Sequence, residues 1–465
     1  MALFYRGLVK EQLGDAPGAI ADYTAAAELA GAPVVVVAQA LSNRGVKKGG
    51  LGDVQGEIAD HTTAAELKSA PVNEVARALV NRAFAKGKLG DVHGEIDDYT
   101  AVVELAGAPV EGIARALVNR GLVKGQLGDA QGGIADYTAV VELDGAPADQ
   151  VSAALFSRGI AKRRLGDTQG EIADYTAVVE LAGAPIDRVA WTLFSRGIAK
   201  GKLGDARGEI ADYTSVVELA GAPVEEVARA LFNRGTTELV LGDVQGAVAD
   251  YTAVVELAGA PMDQIASAQV GRGYVKRTLG DLPGAIADCT AVVELAGAPF
   301  EPVAWARHIC GVALSELGRT EEAISSFQRC VEMKASAETV HGSFAKLASI
   351  LLANKRDAEA AGWMARLHEF ETPDLSLEAR LEARIQVIAQ AGTEHGPDAA
   401  EALLDAALRG GPEDVRARLE FLGPAIQYAK SGDDLALSRL PERERDAAKQ
   451  IAGSITKKDG GAAKK

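Results

Sequence analysis

Six histidines (His61, His93, His308, His341, His368, His395) and three cysteines (Cys289, Cys310, Cys330) are the residues of this 465-residue chain best suited to hold a metal or act as a nucleophile. Their spacing suits neither task. The histidines share no ligand interval, and His61 stands where neighbouring copies of the sequence have tyrosine. The cysteines are odd in number, stand 21 and 20 residues apart, and each replaces a recurring residue. That reads as buried thiols in a reducing compartment, not as a disulfide framework. The Gly50–Gly56 stretch imitates a glycine motif, but the Gly-x-x-x-x-Gly-Lys-Ser/Thr order that cradles phosphate is missing, as is a strand to carry it. Paired carboxylates abound only as solvated charge. The residues spell no reaction, so a non-enzyme without cofactor or metal is expected.

The polar residues that do recur form a pair. Arg6, Arg44, Arg82, Arg120, Arg158, Arg196, Arg234 and Arg272 each have an aspartate 16 residues on: Asp22, Asp60, Asp98, Asp136, Asp174, Asp212, Asp250 and Asp288. A ninth copy loses both together, to Cys310 and Ser326. Joint loss is what a direct ion pair predicts, because one partly buried charge left alone costs on the order of several kcal/mol. The spacing predicts a bridge between two helices of one unit, or across one boundary between units. One residue after each arginine stands a small residue, glycine in all copies but Ala83. Glycine inside a helix costs roughly 1 kcal/mol against alanine, so it implies close helix approach.

These residues belong to a repeat. A Leu-Gly step recurs at Leu13, Leu51, Leu89, Leu127, Leu165, Leu203, Leu241, Leu279 and Leu317, every 38 residues without insertion. A fixed period of this size signals a solenoid. Within Ala190–Pro223 the apolar residues fall at helical spacing: Ala206, Ile210, Tyr213, Val217 and Ala220 in the second half, and a double row from Val189 to Ile198 in the first. Asp205 is placed to cap the second helix, Gly221 to take a left-handed C′ conformation, and Pro223 to open the next helix at its first position.

The run asparagine-arginine-glycine, Leu-Gly-Asp, Ile-Ala-Asp-Tyr, Glu-Leu and Pro, as in Asn119–Pro147, resembles the tetratricopeptide repeat family, over about residues 1–335. The resemblance implies an all-α fold: a right-handed α-solenoid, or superhelix, of antiparallel helix pairs. Two features depart from the family pattern. The unit is about four residues longer than the usual 34, and lysine (Lys86, Lys124, Lys162, Lys200) stands where the first helix usually carries an aromatic. Residues 1–335 are expected to hold nine units and 336–455 an irregular all-helical cap, with helices near 337–353, 357–370, 375–392, 397–409, 412–430 and 433–455. Residues 456–465 read as a disordered basic tail.

The resemblance also implies that the first helices line a concave groove. A polar stripe on those helices begins with Gln39, Arg77, Arg115, Ala153, Trp191, Arg229, Ser267 and Trp305. One turn on come Asn43, Asn81, Asn119, Ser157, Ser195 and Asn233, and further on Lys88, Gln126, Arg164 and Lys202. In some grooves of the family that this chain resembles, asparagines at the matching position hydrogen-bond an extended peptide; Ser157 and Ser195 interrupt that ladder here. Asparagine suits a peptide group because it donates and accepts, while arginine and tryptophan dominate interface energies. Arg77, Arg115, Arg164 and Arg229 would favour an acidic segment or free carboxylate. The alternative for the stripe is an ordinary solvated helix face.

A formal charge of −16 argues against a general nucleic-acid binder, and the longest apolar run, near Pro33–Leu41, is too short for a membrane span. With no signal peptide legible at Met1–Leu13, a cytoplasmic protein is expected. The expected role is a non-enzymatic scaffold that binds an extended, acidic protein segment. Two alternatives stand beside it. One is a self-assembling module, end to end or dimeric, because the first unit reads as lacking a polar capping helix. The other is the sensor or adaptor arm of a multi-component signalling or defence system.

Overall fold

The computed structural model describes residues 1–371, 375–438 and 440–455. They form helices and turns, with no strand among the described residues. The chain divides into two compact units, Met1–Ala230 and Leu231–Lys465.

The first unit repeats one motif: a helix, a three-residue turn and a second helix folded back on it. The pairs are α1 (Ala2–Gln12) with α2 (Ala16–Ala27), α3 (Val34–Gly50) with α4 (Val54–Glu66), and α5 (Val72–Lys88) with α6 (Val92–Glu104). They continue with α7 (Val110–Gln126) and α8 (Ala130–Val141), α9 (Ala148–Arg164) and α10 (Thr168–Glu180), and α11 (Ile186–Lys202) and α12 (Ala206–Glu218). Helix α13 (Val224–Val240) carries the division between the units. From α1 to α12 each helix packs on the next in sequence, and α3, α5, α7, α9 and α11 also touch one another in succession.

The local chemistry follows the repeat. Asp205 sits at the N-cap of α12, and its carboxylate accepts the amide of Gly208 at 2.9 Å, which satisfies one of the helix's orphan donors. Gly204 (φ 80°) makes the turn before it, a conformation that costs other residues strain. Two expectations shift by a few residues. Helix α12 ends at Glu218 with Leu219 extended, so Ala220 lies in the turn, and Gly221 (φ 82°) turns the chain beyond the helix. Proline is the N-cap itself, as Pro185 before α11 shows (ψ 137°). Its lack of an amide hydrogen is harmless there, and its ring directs the preceding residue away from helix.

In this unit the core is thin and alanine-rich, with a tyrosine at the centre of every hairpin but the second. Ala190, Phe194, Tyr213 and Val216 are buried together. A Cβ on Gly197 would fall 2.8 Å from the Tyr213 ring, so the first helix meets that ring only because the residue is glycine. His61 takes the tyrosine place in its own hairpin, fully buried, with neither ring nitrogen hydrogen-bonded. Burial pulls its pKa down to about 4.

The second unit continues with α14 (Val244–Glu256), α15 (Met262–Thr278), α16 (Leu282–Glu294), α17 (Phe300–Glu316) and α18 (Thr320–Glu332). Here Cys289 and Cys330 are buried, whereas Cys310 is half-buried, short of the burial expected for it; all three are free. Next come α19 (Ala337–Ala353), α20 (Asp357–Arg366), α21 (Leu377–His395) and α22 (Pro397–Gly410), then α23 (Glu413–Leu419), α24 (Leu422–Ser431) and α25 (Glu442–Ile455). They share one apolar core that runs from Phe327 through Phe344, Leu351, Ile388 and Leu403 to Ile426. The helix expected over 412–430 is two helices, because Pro424 within it has no amide hydrogen and its ring clashes with the carbonyl four residues back. Likewise 433–455 is a 3₁₀ turn (Asp434–Leu437) and then α25, which starts after Pro441. No described helix is long and apolar enough to cross a membrane. The expected basic tail, 456–465, lies outside the described residues.

Candidate functional site

The recurring arginine and aspartate meet within each hairpin. In the sixth hairpin, Arg196 Nε donates to Asp212 Oδ2 at 2.9 Å and Nη2 to Oδ1 at 2.7 Å, a bidentate fork. Two further arms complete the contact. Lys200 Nζ lies 2.8 Å from Asp212 Oδ2, and Arg196 Nη1 donates to Thr176 Oγ1 of the preceding hairpin at 3.0 Å. Thr176 in turn donates to the carbonyl of Ile172 in its own helix. So the arginine bridges inside the unit and across one boundary at once. The buried carboxylate accepts from two cations, which offsets its desolvation. The same geometry recurs at Arg44, Arg82, Arg120 and Arg158, each with its aspartate, lysine and threonine. Asp98 raises the pKa of the Arg82 guanidinium through its hydrogen bond. Lysine in the usual aromatic place thus has a structural use that the sequence reading missed. The signal was present: Thr62, Thr100, Thr138 and Thr176 recur with the same 38-residue step.

With these groups consumed, the stripe on the first helices is what remains. Asn81, Lys88, Arg115 and Asn119 line one cavity of about 440 Å³ on α3, α5 and α7, together with Val46, Gly50, Glu57, Val80, Phe84 and Tyr99. Phe84 presents an exposed ring there. Arg77 and Arg115 share an adjoining cavity of about 200 Å³ with Asn73, Val80 and Glu111. Arg164 lines a third, of about 160 Å³, beside Tyr137 and Ser157.

The candidate residues are not equivalent. Among the described residues Arg115 has no ion pair, and it is exposed. Arg77 is held by Glu74 at 2.7 Å within its own helix. Arg229 is held by Glu226 at 3.2 Å and lies over the Phe194 ring at 4.5 Å. Lys88 binds the buried carboxylate of Glu57 at 3.0 Å. Asn43 and Asn119 stand near the buried phenols of Tyr23 and Tyr99 in the preceding hairpins, whose hydroxyls donate to Glu11 and Glu95. Trp191 leans on Phe156 (ring centres 5.5 Å apart) and keeps nearly half its surface exposed. Lys202 is exposed. Asn233 and Trp305 belong to the second unit, where Trp305 is half-buried with its ring edge against His308. Phe84, Val46 and Glu57 were not foreseen as cavity walls. The column of Val46 and Phe84 varies from copy to copy, whereas Glu57 recurs as Glu95, Glu171 and Glu209.

Among curated proteins none matches the chain. Solved structures similar to parts of it include a tetratricopeptide repeat protein from Parabacteroides merdae (17% identity over 58% of this chain and 98% of that one, TM-score 0.36). The C-terminal part of a TPR repeat-containing protein from Cytophaga hutchinsonii is 14% identical over 57% of this chain and 98% of its own (TM-score 0.44). Yeast Tom70 is 13% identical over 94% and 98% (TM-score 0.37). At these scores the likenesses fix neither curvature nor function. The family models are more direct: residues 232–302 and 307–336 each match a model described as tetratricopeptide repeat. Since those residues share one 38-residue register with the copies before them, the chain carries tetratricopeptide repeats, and these support a protein–protein interaction scaffold.

Proposed function

We propose that the stripe along the first helices of the Met1–Ala230 unit binds an extended, acidic polypeptide segment. The observation that carries this is the cavity of about 440 Å³, which gathers Asn81, Asn119, Arg115 and Lys88 around an exposed phenylalanine. Each part has a use for such a guest. The amides can pair with a peptide group whatever its side chain, the unpaired Arg115 fork suits a carboxylate, and Phe84 offers apolar area. That the first helices touch one another in succession supports their forming the inner wall of a curved stack. In the same reading 1–335 is the repeat array, 336–455 its helical cap, and the protein is cytoplasmic, a setting that the free cysteines support.

The test is fluorescence anisotropy with labelled decapeptides of alternating glutamate and alanine, glutamine and alanine, or lysine and alanine. The glutamate peptide should bind best, and Arg115→Ala with Asn119→Ala should weaken it by about tenfold or more, the loss expected for a charge-assisted hydrogen bond and its neighbour. Equal binding of the three peptides, or an unchanged affinity in the double variant, rules the reading out.

A further inference from the structure

The repeat itself supplies an internal reference for what one of these cavities should hold. At one position of the second helix, hairpins two, three, five and six carry glutamate: Glu57, Glu95, Glu171 and Glu209. The carboxylates of Glu57, Glu95 and Glu209 fold back over a glycine of the first helix. Those of Glu95 and Glu209 lie about where a Cβ on Gly87 or Gly201 would begin, at 2.5 and 2.6 Å from it, and Glu57 covers Gly49 in the same way. Lys88, 31 residues on in the next hairpin, binds Glu57 at 3.0 Å. Glu171 is paired within its own hairpin, with Arg163 at 3.6 Å; burial raises its pKa, and Arg163 and then Lys202, at the 31-residue position, oppose that rise. Where the next hairpin has no base, with Gln126 or Val240 instead, Glu95 and Glu209 accept from their own tyrosines, Tyr99 and Tyr213.

Hairpin four keeps one half of the Glu57–Lys88 arrangement. Its glutamate is Gly133, yet the base of the next hairpin is kept, as Arg164. Nothing lies within 4 Å of where a side chain on Gly125 would start. The locus that carboxylates fill in the neighbouring hairpins is here a cavity of about 160 Å³, walled by Gly125, Gly133, Tyr137, Ser157 and Arg164. Arg164 makes no ion pair among the described residues; burial pushes the Tyr137 phenol up to about 12, and Ser157 and Arg164 beside it oppose that rise. The site has a cation, hydroxyl donors and a carboxylate-sized space, and it lacks the carboxylate.

We propose that the cavity at Gly133 is a receptor for a glutamate side chain of the guest polypeptide, which enters where neighbouring hairpins supply their own. It deepens the groove reading by naming one subsite, and it rests on that reading only for the guest's being a polypeptide. The carboxylate would take the Arg164 fork and the Tyr137 or Ser157 hydroxyl, while the stem of the side chain lies on Gly125. The acceptor is charged, Tyr137 is buried and Ser157 half-buried beside the exposed Arg164, so the contact discriminates against the neutral amide.

The experiment titrates the full chain with millimolar N-acetyl-glutamate amide, N-acetyl-glutamine amide or N-acetylglycine, reading backbone amide shifts at Gly125 and Gly133 by NMR. The glutamate probe should shift both in a saturable way, and the other two should not. Arg164→Gln should lower the fitted affinity by about tenfold or more, and Gly133→Glu should abolish the response by filling the site from within. A Cβ at Gly133 would fall 2.9 Å from the Gly121 carbonyl oxygen, so α7 and α8 must part slightly to take that variant; Arg164→Gln carries the test if it does not fold. Equal shifts from glutamine or from N-acetylglycine, no shift at Gly133, or a response that survives Arg164→Gln would each overturn the assignment. Shifts at Gly112 and Asn119 without any at Gly133 would sink this subsite while leaving the groove reading intact.

Discussion

At the scale of single residues, the decisive group is the clamped aspartate. Asp212 is almost wholly buried and accepts from Arg196 and Lys200, so its charge is tolerated only while the cations hold it. Replacing Arg196 by leucine strands a buried carboxylate and also releases Thr176, which should cost about 3–5 kcal/mol. Replacing Asp212 by leucine as well should recover much of that, since a packed apolar pair is often as stable as the ion pair it replaces. Urea unfolding of the two single variants and the double one decides the matter. Additive losses would mean that the bond seen at 2.7 Å contributes nothing by itself.

Elements come next, and their caps set how firmly each hairpin closes. Asp167 accepts the amide of Gly170 at 2.8 Å and begins α10. Asp167→Ala should therefore lower stability by about 1 kcal/mol, seen as a lower urea midpoint with an unchanged slope. The ninth hairpin has Arg319 at this place and no side-chain cap; the arginine grips Glu322 instead, at 2.7 Å on the surface. Such exposed pairs are worth little, so the same loss should not follow Arg319→Ala. Helix number and periodicity were legible in the sequence because the apolar residues repeat every three to four and the turns are spelled Leu-Gly-Asp. Helix ends were less so: Leu-Ala-Gly-Ala-Pro contains two residues, glycine and proline, that both end helices, and only backbone geometry shows that the helix stops before either. The Arg–Asp pair was legible from its joint loss at Cys310 and Ser326. Its lysine and threonine arms were not, because lysine on a helix face usually means solvent. The cavity at Gly133 was hidden for a related reason: an absence in one copy gains meaning only when the other copies' carboxylates are seen to share a place.

For the molecule as a whole, the clamps also settle where free charge lies. Cations in each complete clamp are spent on a buried aspartate, so a formal charge of −16 leaves a surface dominated by carboxylate, with Arg115 and Arg164 as local exceptions. An acidic guest must cross that negative field to reach them. Salt screens interactions over about 30 Å at 0.01 M but only about 10 Å at 0.1 M; the far repulsion therefore fades first, while contacts inside the groove persist. The association rate of the glutamate–alanine decapeptide should rise, or at least hold, as salt goes from about 0.01 to about 0.1 M, and its dissociation rate should rise only modestly. That is the reverse of a basic binder, whose association is steered by its own charge and falls steeply with salt. Stopped-flow mixing across this range reads both rates. A drop in the association rate of about tenfold would mean that the groove's cations reach beyond the acidic surface, and that the guest is drawn in by attraction and not merely held on arrival.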